Sequence, residues 1–481
     1  MGRFLVSEKL FCCRGFSFRG RTFTLIWINT RTSQCFTACG NTSRSRIRRL
    51  GLDRNQWQAP PRSAECMRSS AFQPISETRH TMTAKSRHLR RELTALLLLA
   101  TSACAQAAEN AVKSGPVVEL RYRHESVDDD AFARTAQADT LRLRLGYLWA
   151  FAPNWQAYAD GERVQTLFGD DFNSTANGET AYPTVADPQA TELNQAFVRY
   201  SGNSLSATLG RHRILLDNQR FFGNSGWRQN EQTFDGLSLG KTFHESGTAL
   251  NYSWLGRVLR VNGHNNPNPL LREWDLDGHL INLSQPLPLG KLTAYAYLVE
   301  NHDRQDLSSR TAGARWNADI EREGVQPGWT VEYAHQSDYA DNPLSFSEPY
   351  RLIEARLRWN GVTFKIGQEM LGGNGQTGFS TPYGSLHAFN GWADRFGNTP
   401  ANGLDDRFLG AEGKIGKASW VVRWHDFQAD HGGSDYGHEF DASVSYPLWK
   451  GVTGLLKVAD YRSDGFASDT RKLWFSLDYR L

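Results

Sequence analysis

The segment "LRLRLGYLW" at residues 141–149 places an apolar or aromatic side chain at every second position. Successive side chains of a strand point to opposite faces, so Leu141, Leu143 and Leu145 share one face. Arg142 and Arg144 then share the other face. This alternation predicts a strand that separates an apolar environment from a polar one, rather than a helix.

The same period-two alternation recurs along the rest of the chain, where no stretch after residue 107 has the length and hydrophobicity of a membrane helix. It predicts about eighteen strands. Their predicted spans are 117–125, 140–149, 155–163, 195–200, 205–215, 232–240, 248–255, 279–285, 291–300, 310–317, 329–337, 352–360, 362–369, 406–415, 419–429, 439–446, 454–463 and 472–481.

The connections between these strands alternate in length. Long polar segments such as 164–194 and 370–405 follow odd strands, whereas short turns such as "NG" follow even strands. This pattern is typical of an all-β, transmembrane outer-membrane barrel with antiparallel strands, long extracellular loops and short periplasmic turns. The alternative is a large soluble β protein, but a propeller would repeat every forty residues or so, and no such repeat is present.

The N-terminal part of the chain differs in composition from the rest. Residues 82–107 combine a basic start, a short apolar run and small residues, which predicts a signal peptide for export. We interpret residues 1–81 as a spurious or non-structural extension, with a genuine basic leader as the alternative. Residues 108–481 are then a single barrel domain. This domain has a net charge of −10, because 18 of the 54 basic and 5 of the 51 acidic residues lie in 1–107.

All six cysteines also precede residue 108, so the barrel domain can have no disulfide, thiolate metal site or catalytic thiol. The basic excess of the full chain belongs to its front part, and nucleic acid is therefore not expected as a partner.

Strand parity predicts which basic side chains face the lumen. The predicted conduit residues are Arg121, Arg123, Arg142, Arg144, Arg199, Arg315, Arg356, Arg358, Lys365 and Arg423. A pore lined in this way would concentrate anions. The alternative is that these residues pair with inward acids such as Glu119, Glu332 and Glu354 and only stiffen the wall.

Two further segments carry a family resemblance. "LGRHRILLDNQRFFGNSGWRQNEQTFDG" (209–236) and "TPYGSLHAFNGWADRFGNTPANGLDDRFLG" (381–410) resemble the signature segments of the alginate-export family. The resemblance implies an eighteen-stranded monomeric barrel with an electropositive lumen, in the outer membrane of a Gram-negative bacterium. Within the first segment the signature-loop residues are Arg211, Arg213, Asp217, Asn218, Arg220 and Arg228. They either line the conduit or support a plug, and we favour lining.

No enzymatic motif is present in its required context: His-Glu-x-x-His is missing, and the string "GLSLG" at 236–240 lies inside the predicted strand 232–240 and not in a strand-to-helix elbow. No enzyme activity, metal site or cofactor is therefore expected. Structural Ca²⁺ in the acidic loops "DDDAF" and "GDDFNS" is the one exception considered.

The expected function is a channel that passes an anionic poly- or oligosaccharide, with export of an alginate-like polymer as the leading hypothesis. The expected interaction partners are outer-membrane lipid and periplasmic export proteins. One alternative is a porin for uptake of small anionic or sugar nutrients. The other is a structural or adhesive barrel with a plugged lumen.

Overall fold

A computed structural model describes residues 113–481 and shows a closed β-barrel of eighteen strands. The predictions for residues 1–81 and for the signal peptide at 82–107 lie outside the described residues. Within 113–481, no helix is long and apolar enough to cross a membrane.

The strands follow one another around the barrel, and every neighbouring pair is antiparallel. They are β1 (Gly115–Asp129), β2 (Ala136–Ala152), β3 (Trp155–Thr166), β4 (Ala190–Gly202), β5 (Leu205–His212), β6 (Thr233–Thr242), β7 (Ala249–Leu259), β8 (Glu273–Leu287), β9 (Gly290–Asn301), β10 (Ser309–Asp319), β11 (Val325–Asp338), β12 (Ser347–Trp359), β13 (Val362–Leu371), β14 (Leu404–Ile415), β15 (Ala418–Gln428), β16 (Asp435–Trp449), β17 (Val452–Ser463) and β18 (Thr470–Arg480).

Pairing of β1 with β18 closes the sheet, from Glu119 opposite Arg480 to Asp129 opposite Thr470. A closed sheet leaves no edge of unpaired backbone groups, which is the condition for crossing lipid with strands. The predicted fold class and strand number are confirmed.

Most observed strands extend beyond the predicted ones at the end that carries the long loops. β8 begins at Glu273 instead of 279, and β12 begins at Ser347 instead of 352. Both faces of a strand are polar once the barrel rises out of the apolar layer, so the alternation that predicted the strands is lost there.

The connections fall on two sides of the barrel. Turns such as 360–361 and 416–417 lie at one end, which we assign to the periplasm. The loops at the other end are named L1 (130–135), L2 (167–189), L3 (213–232), L4 (260–272), L5 (302–308), L6 (339–346), L7 (372–403), L8 (429–434) and L9 (464–469). L4 contains one helical turn, α1 (Pro269–Arg272).

The two faces of the barrel have opposite chemistry. On β2, Leu145 is 52% exposed on the outer face, whereas Arg144 on the inner face is only 2% exposed. An arginine inside a barrel is buried only if something covers it. The loops that fold into the lumen provide this cover.

An aromatic cluster inside the barrel holds these inward loops. Phe221 of L3 lies 5.4 Å from Tyr350 and 5.9 Å from Phe379 of L7, measured between ring centroids. Phe222 stacks on Tyr383 at 5.4 Å. Buried aromatic pairs of this kind stabilise the loops as an apolar core would in a soluble domain.

Candidate functional site

L3 and L7 are joined to each other across the lumen. The Gly223 amide donates to the Tyr383 carbonyl at 2.9 Å, and the Ser385 amide donates to the Gln219 carbonyl at 2.9 Å. Gly384 allows this crossing, because a Cβ there would meet the backbone carbonyl of Arg220. The two segments that resemble the family signature therefore form one structural unit, which we call the L3–L7 crossing.

Arg220 fixes the centre of the L3–L7 crossing. Its guanidinium lies 2.8 Å from Glu369 of β13 and donates to the Asn390 side chain at 2.8 Å. It also lies over the Phe389 ring at 4.8 Å. Because Arg220 is only 2% exposed, it supports the crossing and does not face open space.

Arg228 fixes the other end of the same unit. It pairs with Glu125 of β1 at 3.3 Å and with Asp394 of L7 at 3.1 Å. Burial would raise the pKa of Asp394, but His387, Lys472 and Arg228 around it hold that pKa well below its usual range. Asp394 is thus a stable anion that ties L7 to L3 and to the wall.

The arginines of β1 and β2 anchor L2 and L3. Arg123 lies 3.6 Å from Asp187 of L2 and 4.1 Å from the Trp227 ring centroid. Arg142 donates to Glu119 at 3.2 Å and to the Gln229 carbonyl at 3.4 Å.

Arg144 has the largest set of acidic partners. Its guanidinium lies within 3.6 Å of carboxylate oxygens on Glu119, Asp160, Glu162 and Glu231. On the same wall Arg121 pairs with Asp478 at 2.5 Å. These four predicted conduit residues do face inward, but they are neutralised and support the loops.

Glu231 is the anchor at the base of L3. It accepts from Arg213 at 2.5 Å and from the Asn194 side chain at 2.7 Å. Burial would raise the pKa of Glu231, but Arg144 and Arg213 hold it below its ordinary value. Of the signature-loop arginines, Arg220 is a buried support, whereas Arg228 is an ion-paired support that also borders a cavity.

The remaining signature-loop residues have separate roles. Arg211 ends on the outer face of β5, where it pairs with Asp235 at 2.7 Å. Asp217 has a left-handed backbone (φ 51°) and accepts from the Asn282 side chain at 2.8 Å. Asn218 caps the following turn by accepting from the Arg220 amide at 3.3 Å.

The predicted conduit residues on other strands are distributed widely. Arg315, Arg356 and Lys365 face the lumen but pair with Glu332 at 3.4 Å, Glu354 at 2.7 Å and Glu412 at 2.9 Å, respectively. Arg358 shares the inner face of β12 near its periplasmic end and is exposed. Arg199 donates to the Thr208 hydroxyl at 2.9 Å.

Arg423 lines a large cavity in the lumen. We call this cavity the vestibule. It has a volume of about 640 Å³ and lies between L3, L4 and L7. Four cations line it against one carboxylate, Asp394. The cations are Arg228, Arg260, Arg423 and Lys457.

Three of these cations have no acid partner in the part of the chain that the structure describes, since no carboxylate oxygen lies within 4.0 Å of them. Arg260 lies 4.0 Å above the Trp274 ring and donates to the Pro382 carbonyl at 2.7 Å. Burial lowers the pKa of Arg260 to about 10, which still leaves it charged at neutral pH. Arg423 lies 5.9 Å from the Trp392 ring centroid.

Lys457 is surrounded by aromatic rings. Its Nζ lies 3.7 Å from the Trp392 centroid and 4.2 Å from the Trp227 centroid. Nζ also lies 2.6 Å from His387 Nε2, while His387 Nδ1 lies 2.7 Å from Asp394. Cation–π contacts favour the ammonium form of Lys457, whereas its burial opposes that form.

Sequence reasoning missed Arg260 and Lys457. Leu455 and Tyr461 share the inner face of β17 with Lys457, so both faces of this strand look apolar and parity gives no clear signal. Arg260 lies in a loop, where parity does not apply.

Two smaller cavities lie on the periplasmic side of the crossing. The acid-rich chamber (about 210 Å³) is lined by Arg315, Lys365 and Arg423, and by Glu354, Glu369, Asp406 and Glu412. The serine-lined chamber (about 420 Å³) lies under L3 against β4–β9. Adjacent residues of L3 divide the two chambers, because Asp217 lines the serine-lined chamber and Asn218 lines the acid-rich one.

Among residues 113–481 no group of three or more histidine, cysteine or acidic side chains is placed to hold a metal ion. His425 of β15 is buried, and its Nδ1 lies 2.8 Å from Asp406. Structural Ca²⁺ in the loops stays a prediction.

A closed eighteen-stranded barrel with loops folded into its lumen defines an outer-membrane channel of the porin type. Solved structures share the fold. The outer membrane protein OpdK from Pseudomonas aeruginosa is 16% identical, with a TM-score of 0.59, over 77% of this chain and 98% of that chain. OccK2 (OpdF) from the same species, in complex with glucuronate, is 13% identical, with a TM-score of 0.60, over 78% and 99%.

Acinetobacter baumannii OccAB3 is 14% identical, with a TM-score of 0.60, over 77% of this chain and 99% of its own. Identities this low show similarity of fold alone. A search of curated proteins gave no match.

The model of the alginate-export family, described as "Alginate export", matches residues 117–340. This match confirms the predicted resemblance to the alginate-export family over residues 117–340. The match includes the first signature segment, while the second lies beyond it.

Proposed function

We propose that this outer-membrane channel passes anionic saccharides and selects them in the vestibule. One observation carries the proposal: Arg260, Arg423 and Lys457 converge on a single cavity and have no acid partner among residues 113–481. Elsewhere around the crossing, most inward cations are neutralised by carboxylates. The positive field of the lumen is therefore concentrated at the vestibule.

The vestibule also suits a sugar ring. Trp227 and Trp392 line it beside the cations. Arg123, His387 and Lys457 lie against the faces of these two rings, so a sugar ring would contact the edges of the indoles. Low-dielectric walls strengthen the attraction between a carboxylate and an unpaired cation. A uronate unit, which has one carboxylate on a hydroxylated ring, matches both features.

The geometry favours small anionic saccharides over a thick polymer, because the L3–L7 crossing divides the lumen into a vestibule and two chambers. The glucuronate complex of OccK2 (OpdF) supports a uronate as the unit recognised. Export of an alginate-like polymer is the second candidate, favoured by the family match. In that case a single uronate chain would thread past the crossing, and periplasmic partners would set the direction.

The test is planar-bilayer recording of the purified barrel in a KCl gradient. An anion about 8 Å from a unit positive charge gains about 2 kcal/mol at an effective dielectric constant of about 20. A gain of about 2 kcal/mol corresponds to about thirtyfold, so the double variant Arg260→Gln with Lys457→Gln is expected to lower the anion-to-cation permeability ratio at least about thirtyfold.

The matched control is Lys414→Gln with Lys417→Gln, which removes two positive charges near the periplasmic end of β14. A reversal potential that moves equally in both double variants would contradict the vestibule as the selective site. Block of the current by glucuronate, compared with block by oligomannuronate of increasing length, separates the small-solute candidate from the polymer candidate.

A further inference from the structure

The serine-lined chamber has an unusual wall. Across five adjacent strands, β5 to β9, the inward residues that border it are mostly short hydroxyl or amide side chains, or glycine. The neighbouring acid-rich chamber is bordered by larger side chains, such as Arg315, Phe408 and Arg423. The serine-lined chamber exists because the side chains of its own wall are small.

Its hydroxyl groups are already aligned by hydrogen bonds along the wall. The Ser238 and Ser253 hydroxyls lie 2.8 Å apart, and His212 Nε2 lies 2.8 Å from Ser238. On the next strands the Ser284 and Thr293 hydroxyls lie 2.9 Å apart. A hydroxyl both donates and accepts, so such a row can exchange bonds with the hydroxyls of a bound polyol.

The charge of this chamber is opposite to that of its neighbour. Arg199 and Lys291 stand on its two sides, and no carboxylate oxygen within residues 113–481 lies within 4.0 Å of either. The single acid that lines it is Asp217, which accepts from Asn282. In the acid-rich chamber, by contrast, four carboxylates accompany three cations. An anion below the crossing is therefore attracted to the serine-lined chamber and repelled by the acid-rich one.

We propose that the serine-lined chamber is a second binding site, for a polyhydroxy carboxylate such as a single hexuronate. Arg199 and Lys291 hold the carboxylate, and the hydroxyl row of Ser238 and Ser253 holds the ring hydroxyls. This inference rests on the proposed function, because it makes the chamber the periplasmic station for the anions that the vestibule admits. In this proposal an anion on the periplasmic side of the crossing passes through the serine-lined chamber and not along Arg315 and Lys365.

The test measures how much sodium glucuronate, added on the periplasmic side, halves the single-channel current. Loss of one charge-assisted hydrogen bond is expected to raise this concentration about threefold to tenfold in Lys291→Gln and in Arg199→Gln. Lys414→Gln removes one charge from the inner face of β14, outside the chamber, and is the matched control.

Benzoate is the second probe, because it has a carboxylate but no hydroxyl. Ser253→Ala is expected to weaken block by glucuronate and leave block by benzoate unchanged, whereas Ser253→Leu fills the chamber and weakens both. If Ser253→Leu fails to fold, Ser253→Ala still tests the hydroxyl row.

The inference is overturned if Lys291→Gln, Arg199→Gln and Lys414→Gln respond alike while the wild type keeps its anion preference. A wild type with no anion preference instead overturns the proposed function, and the chamber with it. The two failures are distinguished by the reversal potential of the wild-type channel.

Discussion

Neutralising Glu231 should release the base of L3. The substitution Glu231→Gln keeps the shape of the side chain but removes the charge that Arg213 and Arg144 contact at 2.5 and 3.1 Å. Removing one partner of a buried ion pair costs about 3–5 kcal/mol, because the other charge stays buried. Arg144 keeps three further carboxylates, so the lower end, about 3 kcal/mol, applies.

A loss of about 3 kcal/mol corresponds to about a 150-fold increase in local opening of L3. The assay is hydrogen exchange by mass spectrometry on the barrel in detergent micelles, followed in peptides from residues 213–232. Glu273→Gln is the control, since Glu273 pairs with Arg257 at 3.5 Å and both side chains are at least 40% exposed. An exposed pair contributes less than about 1 kcal/mol, so exchange should change less than about fivefold.

If L3 exchanged equally fast in Glu231→Gln and in Glu273→Gln, the role of Glu231 as the anchor of L3 would be refuted. Faster exchange throughout the barrel would also refute it, because the structure confines the effect to one loop.

Two further outcomes are expected. The pKa of Glu231 lies below its ordinary value in the folded barrel, so its stabilisation is fully present above the unfolded pKa of about 4.3 and is lost as the pH falls through the folded pKa. Single-channel current noise should therefore rise between about pH 5 and pH 3 in the wild type but not in Glu231→Gln. Gly384→Ala should push L7 away from the Arg220 carbonyl and raise the single-channel conductance, whereas Gly115→Ala, with open space around it, should leave the conductance unchanged. Unchanged conductance in Gly384→Ala would show that the crossing does not limit the current.

Much of the fold could be read from local pattern. The alternation in 141–149 predicted both the strand and the direction of its side chains, because period two is a property of the extended backbone itself. The extracellular ends of the strands could not be predicted in this way, because their two faces meet similar polar surroundings.

The candidate site was predicted only in part. Arg423 lines two cavities of the lumen, but the paired state of Arg144 depends on Glu231, which lies 87 residues later in the chain and arrives with L3. Parity tells which way a side chain points. It does not tell whether a loop will cover that side chain.

The sequence by itself thus determined the closed eighteen-stranded barrel and its outward apolar face, because both follow from residue types at period two. The tertiary structure decided which inward cations have an acid partner and which do not. L3 and L7 lie about 150 residues apart and meet only inside the barrel. There Arg220 and Arg228 reach Glu369 and Glu125 on the wall, whereas Arg260 and Lys457 have no acid partner among residues 113–481. Electrostatic partnership is set by distances in space, and those distances exist only once the barrel has closed around its loops.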